Sequence, residues 1–226
     1  MHRRALLASV VAFLTLPAQA VPATESKTIP AEKFFPFLSN YYNLPPTERS
    51  QFRLSYRLII QGAQPDQISL KLTDGTQIVP DGRNTLSPLP TSAQLKNRAQ
   101  LTFTRPTGAK FGVSLDVIPS QLPAPTLDAH NLALAVNQAS AGAKKAAGLL
   151  AMAVPTLDRV GIYGVSSGQV RLANGDIRTL PLTPAAKEKN GAYSPAYIAF
   201  VPSEWPTAVT LTFPDMPSRL LIMDRN

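Results

Sequence analysis

The sequence predicts a mainly β, α+β fold, in which two related antiparallel β units pack as a sandwich-like domain and an alanine-rich helix joins them. Three observations lead there. Apolar residues recur with a period of two in several short runs, as half-buried strands require. Asp74-Gly75 and Asn174-Gly175 stand between such runs, and these dipeptides supply the positive φ angles of two-residue hairpin turns. One stretch, 128–150, has small apolar residues at helical spacing instead.

The chain opens with the features of a cleavable signal peptide over residues 1–20. His2, Arg3 and Arg4 form a basic start, residues 5–16 are an uncharged apolar run, Pro17 breaks it, and Ala18-Gln19-Ala20 is a small-x-small cleavage site. The run is shorter than the roughly 20 residues that a membrane-spanning helix needs. The expectation is cleavage after Ala20, a periplasmic or secreted mature chain over 21–226, and no transmembrane segment in it. The chain has no cysteine, which excludes disulfides, thiol nucleophiles and anchorage through a lipid-modified cysteine. The fold must therefore rest on an ordinary apolar core. A single domain is expected, because neither β unit alone holds much core. Proline, at 22 residues, is about twice its ordinary usage and separates apolar runs, as a residue unable to donate to a ladder does.

Residues 21–29 read as a short flexible leader. A helix is expected over 30–42, with Phe34, Leu38 and Tyr41 on one face and Pro36 within it, until Leu44-Pro45-Pro46 stops it. Phe52, Leu54, Tyr56, Leu58 and Ile60 then alternate with Arg53, Ser55 and Arg57. Ile68, Leu70 and Leu72 alternate with Ser69 and Lys71, and 76–79 is the return strand after Asp74-Gly75. A turn-rich loop covers 80–90, and strands over 100–105 and 110–118 are expected to pair around Pro106-Thr107-Gly108. In the helix, Asp128 stands at the start, and Leu132, Val136, Ala139, Ala143, Ala146 and Leu150 share one face before Pro155. An alanine stripe lets the helix backbone pack close to its neighbour. Strand patterns resume with Val160, Ile162 and Val165, then Val170 and Leu172, a hairpin at Asn174-Gly175, and runs at 177–182, 197–201, 208–213 and 219–223.

The strand-rich regions, about 51–118 and 158–223, read as copies of one unit. Leu72-Thr73-Asp74-Gly75 matches Leu172-Ala173-Asn174-Gly175, and Leu101-Thr102-Phe103 recurs as Leu211-Thr212-Phe213. A hairpin pair cannot bury its apolar face alone, whereas two facing copies can.

The inventory of reactive side chains is thin. The only histidine after the signal segment is His130, so a zinc site of the usual Cys/His kind cannot be assembled and no metal or other cofactor is expected. A hydrolase would have to use His130, near Asp128, or a pair of carboxylates; no Gly-x-Ser-x-Gly elbow occurs, and Ser166-Ser167-Gly168 reads as a turn. Asp74, Asp81 and Asp176 stand beside glycines, where turns favour Asp for its backbone hydrogen bonds. Gly161 and Gly164 flank Ile162-Tyr163 in a strand-like run and suggest a bend or bulge.

Two features point to binding. Arg53 and Arg57 leave the same face of the first strand, and Lys71 would join them if its strand lay alongside. Trp205, the single tryptophan, sits between prolines as an anchor for a partner or as a plug on the core. The net charge is +8, or +6 once Arg3 and Arg4 leave with the signal segment. Such a surface suits an anionic envelope component or an acidic envelope protein, and nucleic acid is not expected. The leading expectation is a non-enzymatic exported protein of the cell envelope. The alternatives are the hydrolase and a structural accessory of an envelope assembly.

Overall fold

The computed structural model describes residues 23–148, 156–187 and 193–225. The proposed signal segment, Leu150 and Pro155 lie outside them. The first half of the chain holds strands β1 (Thr24–Pro30), β2 (Phe52–Gln61), β3 (Ser69–Leu72), β4 (Gln77–Pro80), β5 (Leu86–Ser87), β6 (Gln100–Pro106) and β7 (Lys110–Pro119), with short helices α1 (Ala31–Phe34), α2 (Leu38–Asn43) and α3 (Ser92–Lys96). The second half begins with β8 (Thr126–Asp128) and the long helix α4 (Ala129–Ala147). It continues with β9 (Leu157–Tyr163), β10 (Gln169–Leu172), β11 (Ile177–Thr179), β12 (Leu182–Thr183), β13 (Ala186–Lys187), β14 (Tyr193–Ser194), β15 (Tyr197–Phe200), β16 (Ala208–Thr212) and β17 (Arg219–Asp224).

The strands pair antiparallel. A six-stranded central sheet has the order β12-β15-β9-β17-β7-β2 and takes strands from both halves. Two smaller sheets, β1-β6-β3-β4-β5 and β11-β10-β16-β8, each belong to one half. The buried residues follow this division. Phe35, Leu38, Tyr56, Leu70 and Leu101 lie in a core under the first small sheet. Leu127, Leu132, Val160, Ile162, Ile198 and Leu211 lie in a second core under the other, and Tyr41 and Leu54 border both. Each such side chain contributes about 1.5–3 kcal/mol by leaving water.

The strand over 52–61 places Phe52, Tyr56 and Leu58 in the core and leaves Arg53 exposed, as its alternation predicts. The hairpins at Gly75 and Gly175 are present, with φ of +92° and +91°. Helix α4 starts as expected: the Asp128 carboxylate accepts the Asn131 N–H at 2.8 Å, satisfying one of the free donors of the first turn. Leu132, Ala135, Val136 and Ala139 are buried, and Gly142 brings the helix against Leu44 and Phe52 of the first half. Gln138 fastens the same junction, accepting the Gln51 N–H at 2.9 Å and donating to the Thr47 carbonyl at 2.9 Å. Towards its end the stripe does not pack as closely as expected. Ala143, Ala146 and Ala147 line an apolar cavity of about 460 Å³ shared with Phe37, Leu54 and Val117.

Three expectations are corrected. The leader is ordered from Thr24 as β1, an edge strand paired with β6 over seven residues. It carries no apolar alternation because most of its residues are exposed. The ladder, a Thr28–Thr102 hydroxyl contact at 2.8 Å and a Glu25–Arg105 ion pair at 3.0 Å hold it instead. The helix expected over 30–42 is two helices, broken at Phe37 with φ of +64°, just after Pro36, which lacks an N–H and disfavours helical geometry before it. The strands on either side of Pro106-Thr107-Gly108 do not pair with each other. β6 pairs with β1 and β3, whereas β7 pairs with β2 and β17. The turn is a corner between sheets, across which the Phe103 and Phe111 rings meet edge to face at 4.7 Å. The loop over 80–90 contains the two residues of β5, and α3 follows it behind a Thr91–Gln94 capping box.

Candidate functional site

Arg53, Ser55 and Arg57 leave the face of β2 opposite the core and line one side of a cleft of about 380 Å³. β7 lies next to β2, with Arg57 opposite Ser114, so the outward Asp116 falls beside Arg57. The Arg57 Nε donates to the Asp116 carboxylate at 2.6 Å and its Nη2 at 3.4 Å. β17 lies on the other side of β7 and brings Arg219 to 3.9 Å from the same carboxylate. Arg219 also lies over the Tyr163 ring, 4.8 Å from its centroid, an arrangement that favours a cation. The turn between β4 and β5 supplies Arg83, whose Nη1 donates to the Ser218 carbonyl at 2.8 Å.

Four arginines therefore share a cleft with two aspartates, Asp81 and Asp116. Asp81 is occupied by its own turn, accepting the Arg83 and Thr85 backbone N–H groups at 2.8 Å each. Those hydrogen bonds, from Thr85 first, hold its carboxyl below the usual carboxylate range. The Asp116 side chain is 10% exposed, against 35% for Arg57 and 32% for Arg219, so the acid sits beneath its arginine partners. Burial pushes the neighbouring Tyr163 phenol up, with Arg219 opposing. The cleft is a concavity to which several segments bring four arginines against two aspartates.

The remaining sequence candidates lie elsewhere. Lys71 is exposed in β3, opposite Gln77 and Thr102 in the first small sheet; β3 and β2 belong to different sheets, so Lys71 does not join Arg53 and Arg57. Trp205 is partly buried against the second core, and its Nε1 has no hydrogen-bond partner among the described residues. It also lines a small pocket with Leu172, Arg178, Glu204 and Pro206. His130 is exposed in the first turn of α4 and lines neither the arginine cleft nor the apolar cavity. Ser166 and Ser167 are exposed in the turn between β9 and β10. Asp74 and Asp176 serve turns and lie below the usual carboxylate range, through the Gln94 amide and the Arg178 guanidinium respectively. Among the described residues no group of three His, Asp or Glu side chains is placed to hold a metal ion, and no helix is long and apolar enough to cross a membrane.

Arg83, Asp116 and Arg219 were not singled out from the sequence. Asp116 and Arg219 each stand at an outward position of an alternating strand, a signal that gives the face but not the neighbours. Compared with protein-family models, with curated proteins and with solved structures, the chain matches none.

Proposed function

We propose that this chain is a non-enzymatic protein of the cell envelope, exported behind residues 1–20, and that it binds an anionic envelope component through the arginine cleft. The observation that carries the reading is the convergence of Arg53, Arg57, Arg83 and Arg219 in one concavity. Their charge exceeds that of the two aspartates there, and a cleft focuses the resulting field. The hydrolase alternative receives less support, because His130 is exposed and lines neither the arginine cleft nor the apolar cavity. The accessory alternative draws support from β1, whose second edge pairs with no described strand and offers a ladder to a neighbour.

The reading extends to the architecture. In the first small sheet the order β1-β6-β3-β4 runs from a strand that precedes helices to the far arm of a hairpin; β8-β16-β10-β11 runs the same way in the second. This supports a duplicated unit wider than 51–118 and 158–223, in which α4 is the second copy's own helix rather than a joiner. Leu101–Phe103 and Leu211–Phe213 then lie in matching strands two residues out of step, because Leu70 faces Phe103 and Val170 faces Leu211.

The test is retention of the mature protein on vesicles containing an anionic lipid and on acidic polysaccharide, across a salt series. Retention that falls steeply with salt, and falls again when Arg53 and Arg57 are both replaced by Gln, is the expected result. Equal retention of the double variant at low salt refutes it.

A further inference from the structure

The chemistry of the cleft is more selective than a positive charge alone, and its selectivity rests on the binding function proposed above. Each guanidinium carries five donors; Arg57 gives two hydrogen bonds to Asp116 and Arg83 one to Ser218, while Arg219 is held by the Asp116 carboxylate at 3.9 Å and over the Tyr163 ring. Arg53 makes no side-chain hydrogen bond among the described residues and Arg83 makes one, which leaves donors for a ligand. They approach from three segments: β2 carries Arg53 and Arg57, the turn before β5 carries Arg83, and β17 carries Arg219. A carboxylate presents its two oxygens in one plane and matches a single guanidinium fork best, a part that Asp116 already fills for Arg57. An anion able to engage guanidiniums from several directions needs three or more oxygens spread around one centre. The charge count narrows the choice further. Four arginines against two aspartates leave two positive charges, which match a phosphomonoester near its dianionic state, of charge about −1.5 to −2 at neutral pH. A phosphodiester or a carboxylate carries one.

We infer that the arginine cleft is a site for a phosphomonoester group, with Arg53, Arg83 and Arg219 donating to its oxygens and Asp116 fixing Arg57 at the inner wall. The volume of about 380 Å³ lies in the lower part of the range for small-ligand sites and accommodates a phosphoryl group with the first atoms of whatever bears it. The same group occurs free on a small molecule or at the end of a lipid headgroup, and the cleft chemistry is common to both.

The test uses the mature protein at low salt, titrated calorimetrically with methyl phosphate, dimethyl phosphate and acetate. Methyl phosphate is expected to bind at least about tenfold more tightly than the two singly charged probes. Replacing Arg53 and Arg83 together by Gln is expected to weaken methyl phosphate by at least about tenfold, since hydrogen bonds to charged groups are being removed; unchanged circular dichroism and unfolding midpoint establish that the variant is folded. Flotation with vesicles containing phosphatidic acid or phosphatidylglycerol distinguishes the sources. Preference for phosphatidic acid assigns the group to a lipid, and methyl phosphate binding without flotation assigns it to a soluble ligand. Equal affinity for methyl and dimethyl phosphate, or methyl phosphate binding that survives both substitutions, overturns the inference. If arginine-dependent retention on anionic vesicles persists without preference for the monoester, the phosphomonoester assignment fails while the broader anion-binding reading stands. If neither occurs, both fall.

Discussion

Replacing Gly164 by Ala tests how the floor of the arginine cleft is held. Gly164 follows β9 with φ of +81°, a conformation that costs an L-residue about 1 kcal/mol relative to glycine. A Cβ there would also stand 2.8 Å from the Ser218 Cβ and 3.0 Å from the Ser218 backbone nitrogen. That nitrogen cannot retreat cheaply, because it donates to the Tyr163 carbonyl at 2.8 Å. Forcing a methyl group into such a contact adds about 1–3 kcal/mol, so the expected loss is about 2–4 kcal/mol. Gly175→Ala is the control. Its φ of +91° imposes the same backbone cost, but nothing lies within 4 Å of its added Cβ, and the expected loss is about 1 kcal/mol. Urea unfolding at unchanged m-value measures both, and their difference isolates the steric part. Because Ser218 accepts from Arg83 and precedes Arg219, only the Gly164 variant should also lose anion retention. Two variants within about 0.5 kcal/mol of each other would refute the packing argument.

Two further outcomes are expected. Leu132→Ala, in the buried face of α4 with no exposed surface, should cost about 2–5 kcal/mol by removing apolar contacts and opening a cavity, as read from urea or thermal unfolding; a loss below about 1 kcal/mol would place α4 outside the second core. Asp74, Asp81 and Asp176 are all held below the ordinary carboxylate value by hydrogen bonds, so their contribution is present above the unfolded-state value and is lost as pH falls through the folded value. Stability should therefore decline on the acid side, below about pH 4. In NMR titrations Gln94→Leu should move the Asp74 midpoint back up, and an unmoved midpoint would show that the amide does not hold it.

The strand over 52–61 was legible because one of its faces is buried, and burial imposes a period of two on the residues themselves. The same holds for the two hairpins, whose turns need residues that tolerate positive φ. What sequence does not carry is the identity of the neighbour. Residues 100–105 and 110–118 read as an adjacent pair, but the corner at Gly108 sends them to different sheets, since local pattern fixes which face is apolar and not which partner covers it. β1 was missed because Thr24–Pro30 buries so little that no periodicity is imposed. The Thr91–Gln94 capping box before α3 stands in the sequence between the loop over 80–90 and the strand over 100–105, a stretch for which no element was expected. Half of the cleft was visible in Arg53 and Arg57. The rest depends on the register β2–β7–β17, which brings Asp116 and Arg219 to Arg57 from 59 and 162 positions away along the chain, and which removes Lys71 to another sheet.

The order of the central sheet also constrains when the molecule can close. β17 is the last strand of the second half, yet it lies between β9 and β7, with Ile222 facing Val160 on one side and Val117 on the other. Until residues 219–224 are in place, β7 and β9 lack the strand that connects them, and the central sheet exists only as two separate pieces, β2-β7 and β12-β15-β9. A chain released from its amino end would thus keep its central ladder in two parts until the carboxyl-terminal strand was free to join them.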